Sequence, residues 1–398
     1  MIEAEARKLK ISLIVSDLSA SGAGRWGGGV RPFLLAQALR KLGYEVELLG
    51  VAFGEEAPQV ADAELLIASF PCQYHSGFWR AASKVLKGID GDIVYAVKLK
   101  PTSFGIALVN QLCNRRRPLL LDIDDWELSW HGGDDWRYDF NPKQLARDLF
   151  TPQGALRHPD HPLYLKWIES LSTRSDLITV HNQFLQQRFG GVCIPNGKDV
   201  ALFEPTKYDS EVCRAKYGLS DYKILMFPGA PRPYKGLEDV LQALDQLNRP
   251  DLKLVIVGGS PYDDYDQQLQ KKWSKWIIQL PRAPVALMPE IVAAAHVIVV
   301  PQRDSPAARA QFPLKLTDGM AMAKPILATR VGDIPNILGE TGYLVDPNSP
   351  QQLATTIEYI FNNFHEAIFK GITARKRCVN YYSIDSMAQI LAGVIPQV

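Results

Sequence analysis

Two α/β domains, each built on an open, doubly wound parallel sheet, are what the sequence predicts, on three observations. The chain has 398 residues, more than one hydrophobic core ordinarily organises, so a pair of domains is expected. Short apolar runs alternate with amphipathic stretches of helical spacing, the pattern of parallel sheets covered by helices. This alternation runs through two series that meet near Asn196–Glu204.

In the first series, Lys10–Ser16, Glu45–Leu49, Leu65–Ser69, Asp92–Val97 and Leu119–Ile123 read as strands buried on both faces. Pro32–Leu42 and Trp79–Leu86 carry helical spacing between them. The pattern breaks over Trp126–Tyr164, which is rich in aromatics, Asp, His, Gly and Pro. An insert of that length predicts a functional loop or a small helical excursion. Regularity returns with Leu177–Val180 and Val192–Ile194. In the second series Ile224–Phe227, Lys253–Val257, Val285–Leu287, Val297–Val300 and Ile326–Ala328 read as strands. Helices are expected at Leu237–Leu247, Pro289–Ala295, Lys315–Ala323 and Pro350–Phe361, with a last one at Ser383–Ile395.

Composition narrows the function. Hydrophobic residues make up 46% and charged residues 22%, an ordinary globular balance, and a net charge of +1 argues against nucleic acid as a partner. The opening MIEAEARKLK lacks the apolar core of a secretory signal, and no apolar run approaches the roughly 20 residues of a membrane span. Five scattered cysteines without metal-ligand spacing fit idle thiols in a reducing compartment. A cytoplasmic protein is expected.

Four segments carry chemistry. In parallel α/β sheets, ligands collect at the carboxyl ends of strands, beside helix N-termini. The first strand is followed by a glycine-rich stretch, Ser19 to Gly29, ahead of the helix at Pro32. Its glycines, Gly28 and Gly29 among them, would let backbone approach a bulky anion, although it does not end in the Lys of a phosphate loop. In the second domain Ile224–Phe227 leads into Pro228-Gly-Ala-Pro-Arg232-Pro-Tyr-Lys235-Gly236, whose two cations suit a diphosphate. Lys315 and Asp318 lie three residues apart on one helical face, either as an ion pair or with the carboxylate free for ribose hydroxyls. Finally Asp122, Asp124 and Asp125 crowd the end of one strand. They could bind a divalent cation, orient acceptor hydroxyls, assist proton transfer or, singly, cap a helix.

Taken in order, these segments resemble the retaining nucleotide-sugar glycosyltransferases of the GT-B fold, the family-four group. The resemblance rests on Ser175–Asn182, Ile194-Pro-Asn-Gly-Lys-Asp199 with Phe203 and Pro205, Arg232 with Lys235-Gly236, Val255–Gly259, Ala294–Pro301, Pro313–Pro325 and Val345-Asp-Pro347. It implies two Rossmann-like domains facing across a cleft, 1–200 on the acceptor side and 201–381 on the donor side, with the helix of 382–398 crossing back. It also implies that Arg232 and Lys235 bind the donor diphosphate and stabilise the leaving group, and that Lys315 helps hold the donor. Asp318 stands where the family's Glu holds the ribose, and Gly28 and Gly29 lie near the donor phosphates. The family's carboxylate eight residues before that Glu is Ala310 here. Its His at the strand end becomes Asp124, leaving Asp124 as the catalytic candidate and Asp122, Asp125 and His131 on the acceptor side.

The function so implied is hexosyl transfer from a nucleotide-diphosphate sugar to a carbohydrate, lipid or small-molecule acceptor. No cofactor or metal is expected, since Arg232 and Lys235 supply the charge. Arg115-Arg-Arg117 is a solvated helix end or a contact with anionic lipid at a membrane surface. Two alternatives share the architecture: a sugar-nucleotide epimerase and an inactive binding protein. An epimerase would need acid and base groups around the donor sugar, whereas this chain places its carboxylates in the first domain.

Overall fold

A computed structural model describes residues 8–19, 30–54, 65–73, 76–114, 117–260 and 263–395. The chain divides into two compact units, Met1–Pro195 with Met387–Val398, and Asn196–Ser386. The division falls at 195/196 rather than 200/201, and the last helix, Ile384–Val394, starts in the second unit and ends in the first.

The first unit holds seven strands: β1 (Lys10–Val15), β2 (Glu45–Phe53), β3 (Leu66–Cys72), β4 (Ile93–Val97), β5 (Leu119–Ile123), β6 (Leu177–Val180) and β7 (Val192–Cys193). They pair in parallel in the order β3-β2-β1-β4-β5-β6-β7. The second unit holds β8 (Lys223–Pro228), β9 (Leu252–Val257), β10 (Ile277–Leu280), β11 (Val297–Val300), β12 (Ile326–Thr329) and β13 (Tyr343–Val345), ordered β10-β9-β8-β11-β12-β13. In each sheet the strand order reverses once, between β1 and β4 and between β8 and β11. The carboxyl ends flanking such a reversal are where open α/β sheets take ligands.

The strand sequences explain their burial. Along β8, β9 and β11, Met226, Val255, Ile298 and Val300 enter one core, while Leu225, Phe227, Leu254, Val297 and Val299 enter the other. Successive side chains of a strand point to opposite faces, so a strand with helices on both sides must be apolar throughout. The helix Leu237–Leu247 closes one face with Leu237, Val240, Leu241 and Leu244, all fully buried.

Val285–Leu287 corrects the sequence reading: it is one turn of 3₁₀ helix, not a strand. Pro284 opens that turn and Pro289 lies just beyond it, so the run is too short to join a ladder. The edge strand is β10, whose Ile277 is buried in the core that also takes Trp273 and Trp276. The helix Phe364–Tyr381 has no counterpart in the predicted elements. Its exposed Ile368, Phe369, Ile372 and Val379 blur the amphipathic pattern from which a helix is read.

The insert after β5 is the helical excursion expected, with helices Pro142–Phe150 and Pro162–Glu169. Trp126 anchors it. Its indole N–H donates to Glu169 Oε1 at 3.0 Å, the Arg188 guanidinium lies 3.8 Å from the ring centroid, and Gly133 approaches so closely that a Cβ would sit 2.8 Å from the ring.

Candidate functional site

At the carboxyl end of β8 the chain turns through Gly229 (φ 137°) and a 3₁₀ turn, Pro233–Lys235, then enters the helix Leu237–Leu247 through Gly236. Gly236 is required twice over. Its φ of 69° lies in the left-handed region, and a Cβ would collide with the Pro301 carbonyl oxygen at the end of β11. Arg303 braces the turn from the same side: its N–H donates to Tyr234 O at 2.8 Å and its guanidinium to Asp239 at 2.7 and 3.1 Å.

On this turn three cations gather. The Lys235 ammonium donates to Ala230 O at 3.0 Å, and Lys315 Nζ lies 4.6 Å from the Phe227 ring centroid, beside Gly229. Burial, then the charges of Lys315 and Arg232, hold Lys235 well below the usual lysine range. Burial likewise pushes Lys315 down to about 8, with Asp318 opposing the shift. Arg232 and Lys235 are half-buried rather than exposed. Mutually repelling cations at a strand end beside a helix N-terminus form a cradle poised for an anion.

Lys315 and Asp318 share the helix Leu314–Ala321 but do not pair. Asp318 instead forms an ion pair with Lys198, whose Nζ also lies 3.6 Å from the Phe203 ring centroid. Lys198 is held by backbone bonds to Tyr382 and Ile384, at 2.7 and 3.0 Å. The sequence reading quotes Lys198 within the Ile194–Asp199 motif but gives it no role. A lysine in a loop announces no partner, and this one lies 120 residues away.

In the first unit the three aspartates separate. Asp122 is fully buried and grips Arg31 in a two-bond pair, Nε to Oδ2 at 2.9 Å and the second guanidinium nitrogen to Oδ1 at 2.7 Å. Thr179 Oγ1 donates to the same Oδ1 at 2.7 Å, and Arg31 also donates to Ile194 O at 2.8 Å. This overturns the acceptor-side assignment of Asp122: its oxygens already serve the core beneath the helix Arg31–Lys41.

Asp124 and Asp125 follow β5 and belong to a different network. Lys98 Nζ, at the end of β4, lies 3.0 Å from Asp124 Oδ1 and 3.0 Å from Glu127 Oε1. Lys100 reaches Glu127 Oε2 at 3.1 Å and Asp160 Oδ2 at 3.6 Å, and Thr102 donates to Asp160 at 3.0 Å. Burial opposes the charge on Lys98, but Asp124, Glu127 and Asp125 together hold it well above the usual lysine range. Burial would raise Glu127, yet Lys100 and Lys98 keep it at about 2. Asp125 accepts from Trp130 Nε1 at 3.0 Å, and burial, then the Glu127 charge, pushes it up to about 7. His131 is exposed at the end of the 3₁₀ turn Glu127–His131, with Glu127 and Lys100 as its charged neighbours. The network thus brings together Asp124, Asp125 and His131, and adds Lys98, Lys100, Glu127 and Asp160.

Gly28 and Gly29 lie outside the described residues, as do Arg115 and Arg116. Ala310 is fully buried. His296 is a satisfied core residue, its Nδ1 accepting from Ile224 N at 3.0 Å. His158 and His161 likewise use Nδ1 to accept backbone N–H groups, at 3.1 and 3.2 Å. Among the described residues no cluster of three His, Cys, Asp or Glu has metal-holding geometry, and no helix is long and apolar enough to cross a membrane.

Residues 222–363, which carry the cationic cradle and Asp318, match the family model of Glycosyl transferases group 1. A GDP-mannose-dependent alpha-(1-6)-phosphatidylinositol monomannoside mannosyltransferase from Mycolicibacterium smegmatis is 25% identical over 57% of this chain. The match spans 64% of that relative's own length. HepE of Anabaena, solved with UDP and glucose, superposes with a TM-score of 0.73 at 17% identity, covering 98% of this chain and 100% of HepE. A sucrose-phosphate synthase from Thermosynechococcus elongatus gives a TM-score of 0.73 at 18% identity, covering 98% of this chain and 99% of that one. The fold is therefore GT-B, two parallel-sheet Rossmann-like units. The second unit thus carries a segment, residues 222–363, similar to the group 1 glycosyltransferases.

Proposed function

We propose that this protein transfers a hexosyl group from a nucleotide-diphosphate sugar to an acceptor hydroxyl, with retention of configuration and without a metal. The observation that carries the reading is the cradle of Arg232, Lys235 and Lys315, on the family-matched segment. In the reaction the sugar's C1–O bond to phosphate breaks and a bond from C1 to the acceptor oxygen forms on the same face. The acceptor proton passes to the departing phosphate and nucleoside diphosphate leaves. Donors aimed at the oxygen where charge develops stabilise such a transition state, and here three cations take that role. Asp124, with Asp125 and His131 nearby, serves the acceptor side.

The mycobacterial relative is named for GDP-mannose and HepE was solved with UDP and glucose. The test is therefore a panel of GDP-, UDP- and ADP-sugars offered with carbohydrate and lipid acceptors. Free nucleoside diphosphate should appear only when an acceptor is present. Epimerised donor formed without acceptor, or no turnover with any pair, would sink the reading.

Donor affinity should depend on pH. Lys315 titrates near 8 when the cradle is empty, and a bound diphosphate would restore the charge on Lys315 and Lys235. Nucleoside diphosphate should therefore bind best below about pH 8 and weaken as pH rises through that value, with proton uptake on binding. Calorimetry in buffers of different ionisation enthalpy would read it. Binding that is flat from pH 7 to 9 would disprove the linkage.

Asp318→Ala should raise the donor KM several-fold with little change in kcat. Ribose hydroxyls meet the carboxylate equally in ground and transition states, so its loss removes uniform binding. An unchanged KM would assign Asp318 to its pair with Lys198 alone.

A further inference from the structure

The insert after β5 keeps two sets of apolar side chains apart. Trp126, Leu128, Leu156, Leu165 and Ile168 are buried. The second set is aromatic and stays at the surface. Phe140 is 66% exposed, and Trp136, Tyr138, His161 and Tyr164 are half-buried. These rings meet edge to face. Tyr138 lies 5.0 Å from Phe140 and 5.7 Å from His161 between ring centroids, and His161 lies 5.8 Å from Trp136. A core would take such rings out of water, whereas this row ends on a phenylalanine with most of its surface in solvent. Contiguous exposed apolar surface of this kind marks a binding face.

The polar tips of the row decide what it can take. The Tyr138 hydroxyl donates to Asp148 Oδ2 at 2.8 Å and the Tyr164 hydroxyl to Leu156 O at 2.7 Å, while His161 Nδ1 accepts from Leu163 N at 3.2 Å. Each tip is committed inside the insert, so the rings are fixed in orientation and offer their carbon surface. A lipid surface selects the reverse, with the ring sunk and the polar tip left in the headgroup water. Nor is the loop basic. Residues 130–141 carry Asp134, Asp135 and Asp139 against Arg137, with the Lys166 ammonium 3.3 Å from the Trp136 carbonyl oxygen. An anionic bilayer attracts clustered lysines and arginines instead.

A pyranose ring matches both features. One of its faces presents C–H bonds, which pack on the π-surface of an aromatic ring, and its rim presents hydroxyls, which donate to carboxylates such as the exposed Asp135 and Asp139. The row also lies beside the Asp124 network. His131, on the turn that leads into it, is near enough for its charge to weigh on His161. We propose that Trp136, Tyr138, Phe140 and His161 form a stacking platform for the acceptor's sugar rings, and that the acceptor is a saccharide or glycoside. This rests on the transferase reading, which supplies the need for an acceptor hydroxyl.

The experiment is capture of the full chain on an array of neutral oligosaccharides, repeated with Phe140→Ala, Phe140→Tyr and Tyr138→Leu. Binding to phosphatidylcholine vesicles, with and without phosphatidylglycerol, and nucleoside-diphosphate affinity are measured alongside. Wild type should hold at least one saccharide. Phe140→Ala should weaken that binding about three- to tenfold, the span of one aromatic contact, and Phe140→Tyr should restore it. Tyr138→Leu should weaken it as well, and nucleoside-diphosphate affinity should hold in all three. Phe140 lies mostly in solvent, so its truncation leaves the fold intact. Capture of no saccharide, or equal capture by wild type, Phe140→Ala and Tyr138→Leu, would overturn the proposal. Vesicle binding that falls with Phe140→Ala while saccharides are ignored would overturn it too, making the row a lipid contact. Saccharide capture without acceptor-dependent release of nucleoside diphosphate is a separate result, which sinks the parent reading while the platform stands.

Discussion

Lys235→Met should cut turnover by about 10²–10³-fold while leaving the thermal midpoint unchanged or slightly higher. The size follows from removing a preorganised donor aimed at the leaving group. The sign on stability follows from the environment of the ammonium. Burial and two neighbouring cations all disfavour its charge, and its hydrogen bond goes to a single backbone carbonyl. A group held against its own electrostatics contributes to function at the expense of the fold. Arg232→Ala should show a comparable loss of turnover. Steady-state kinetics beside a thermal melt would check both. Near-normal turnover in the two variants would remove the diphosphate assignment, and a collapsed midpoint would make the turn structural.

The two-domain architecture was legible because buried parallel strands are apolar on both faces and stand out against helical spacing. That Arg232 and Lys235 share one turn after β8 was legible for a related reason. They lie three residues apart in one short segment after a strand, so proximity in the chain carries over into proximity in space, whereas Lys315 reaches the same turn from a helix 80 residues on. What escaped was contact between distant segments. Lys198 belongs with Asp318, and Lys98 and Lys100 belong with Glu127 and Asp160, only because segments far apart in the chain meet. A lysine after an apolar strand looks like any solvated strand end. The signal that marks Lys98 is a positive φ, which no single sequence displays. Asp122 failed in the opposite direction. Three aspartates in four residues looked like one site, but Asp122 lies inside β5 with its oxygens taken by Arg31 and Thr179, while Asp124 and Asp125 lie past the strand end. Val285–Leu287 misled because a three-residue apolar run cannot by itself distinguish a strand from a turn.

The Arg31–Asp122 pair predicts a second large effect, on stability rather than on substrate. Arg31 is 1% exposed and Asp122 fully buried, and neither contributes an accessible group. Removing one partner strands the other charge in the core, which costs about 3–5 kcal/mol. Arg31→Met and Asp122→Asn should therefore each lower the urea midpoint markedly. Replacing both, as Arg31→Met with Asp122→Leu, should recover much of the loss, because a buried ion pair is often no more stabilising than packed apolar groups of similar volume. The residual deficit would report Thr179, left with the Tyr95 hydroxyl alone, and the Ile194 carbonyl, which loses the Arg31 guanidinium. Arg31 opens the helix that follows the glycine-rich stretch. The pair thereby ties the start of that helix to β5 and, through Ile194, to the end of the first unit. An Asp122→Asn protein with the wild-type midpoint and a selectively raised acceptor KM would contradict this account and return Asp122 to the acceptor side.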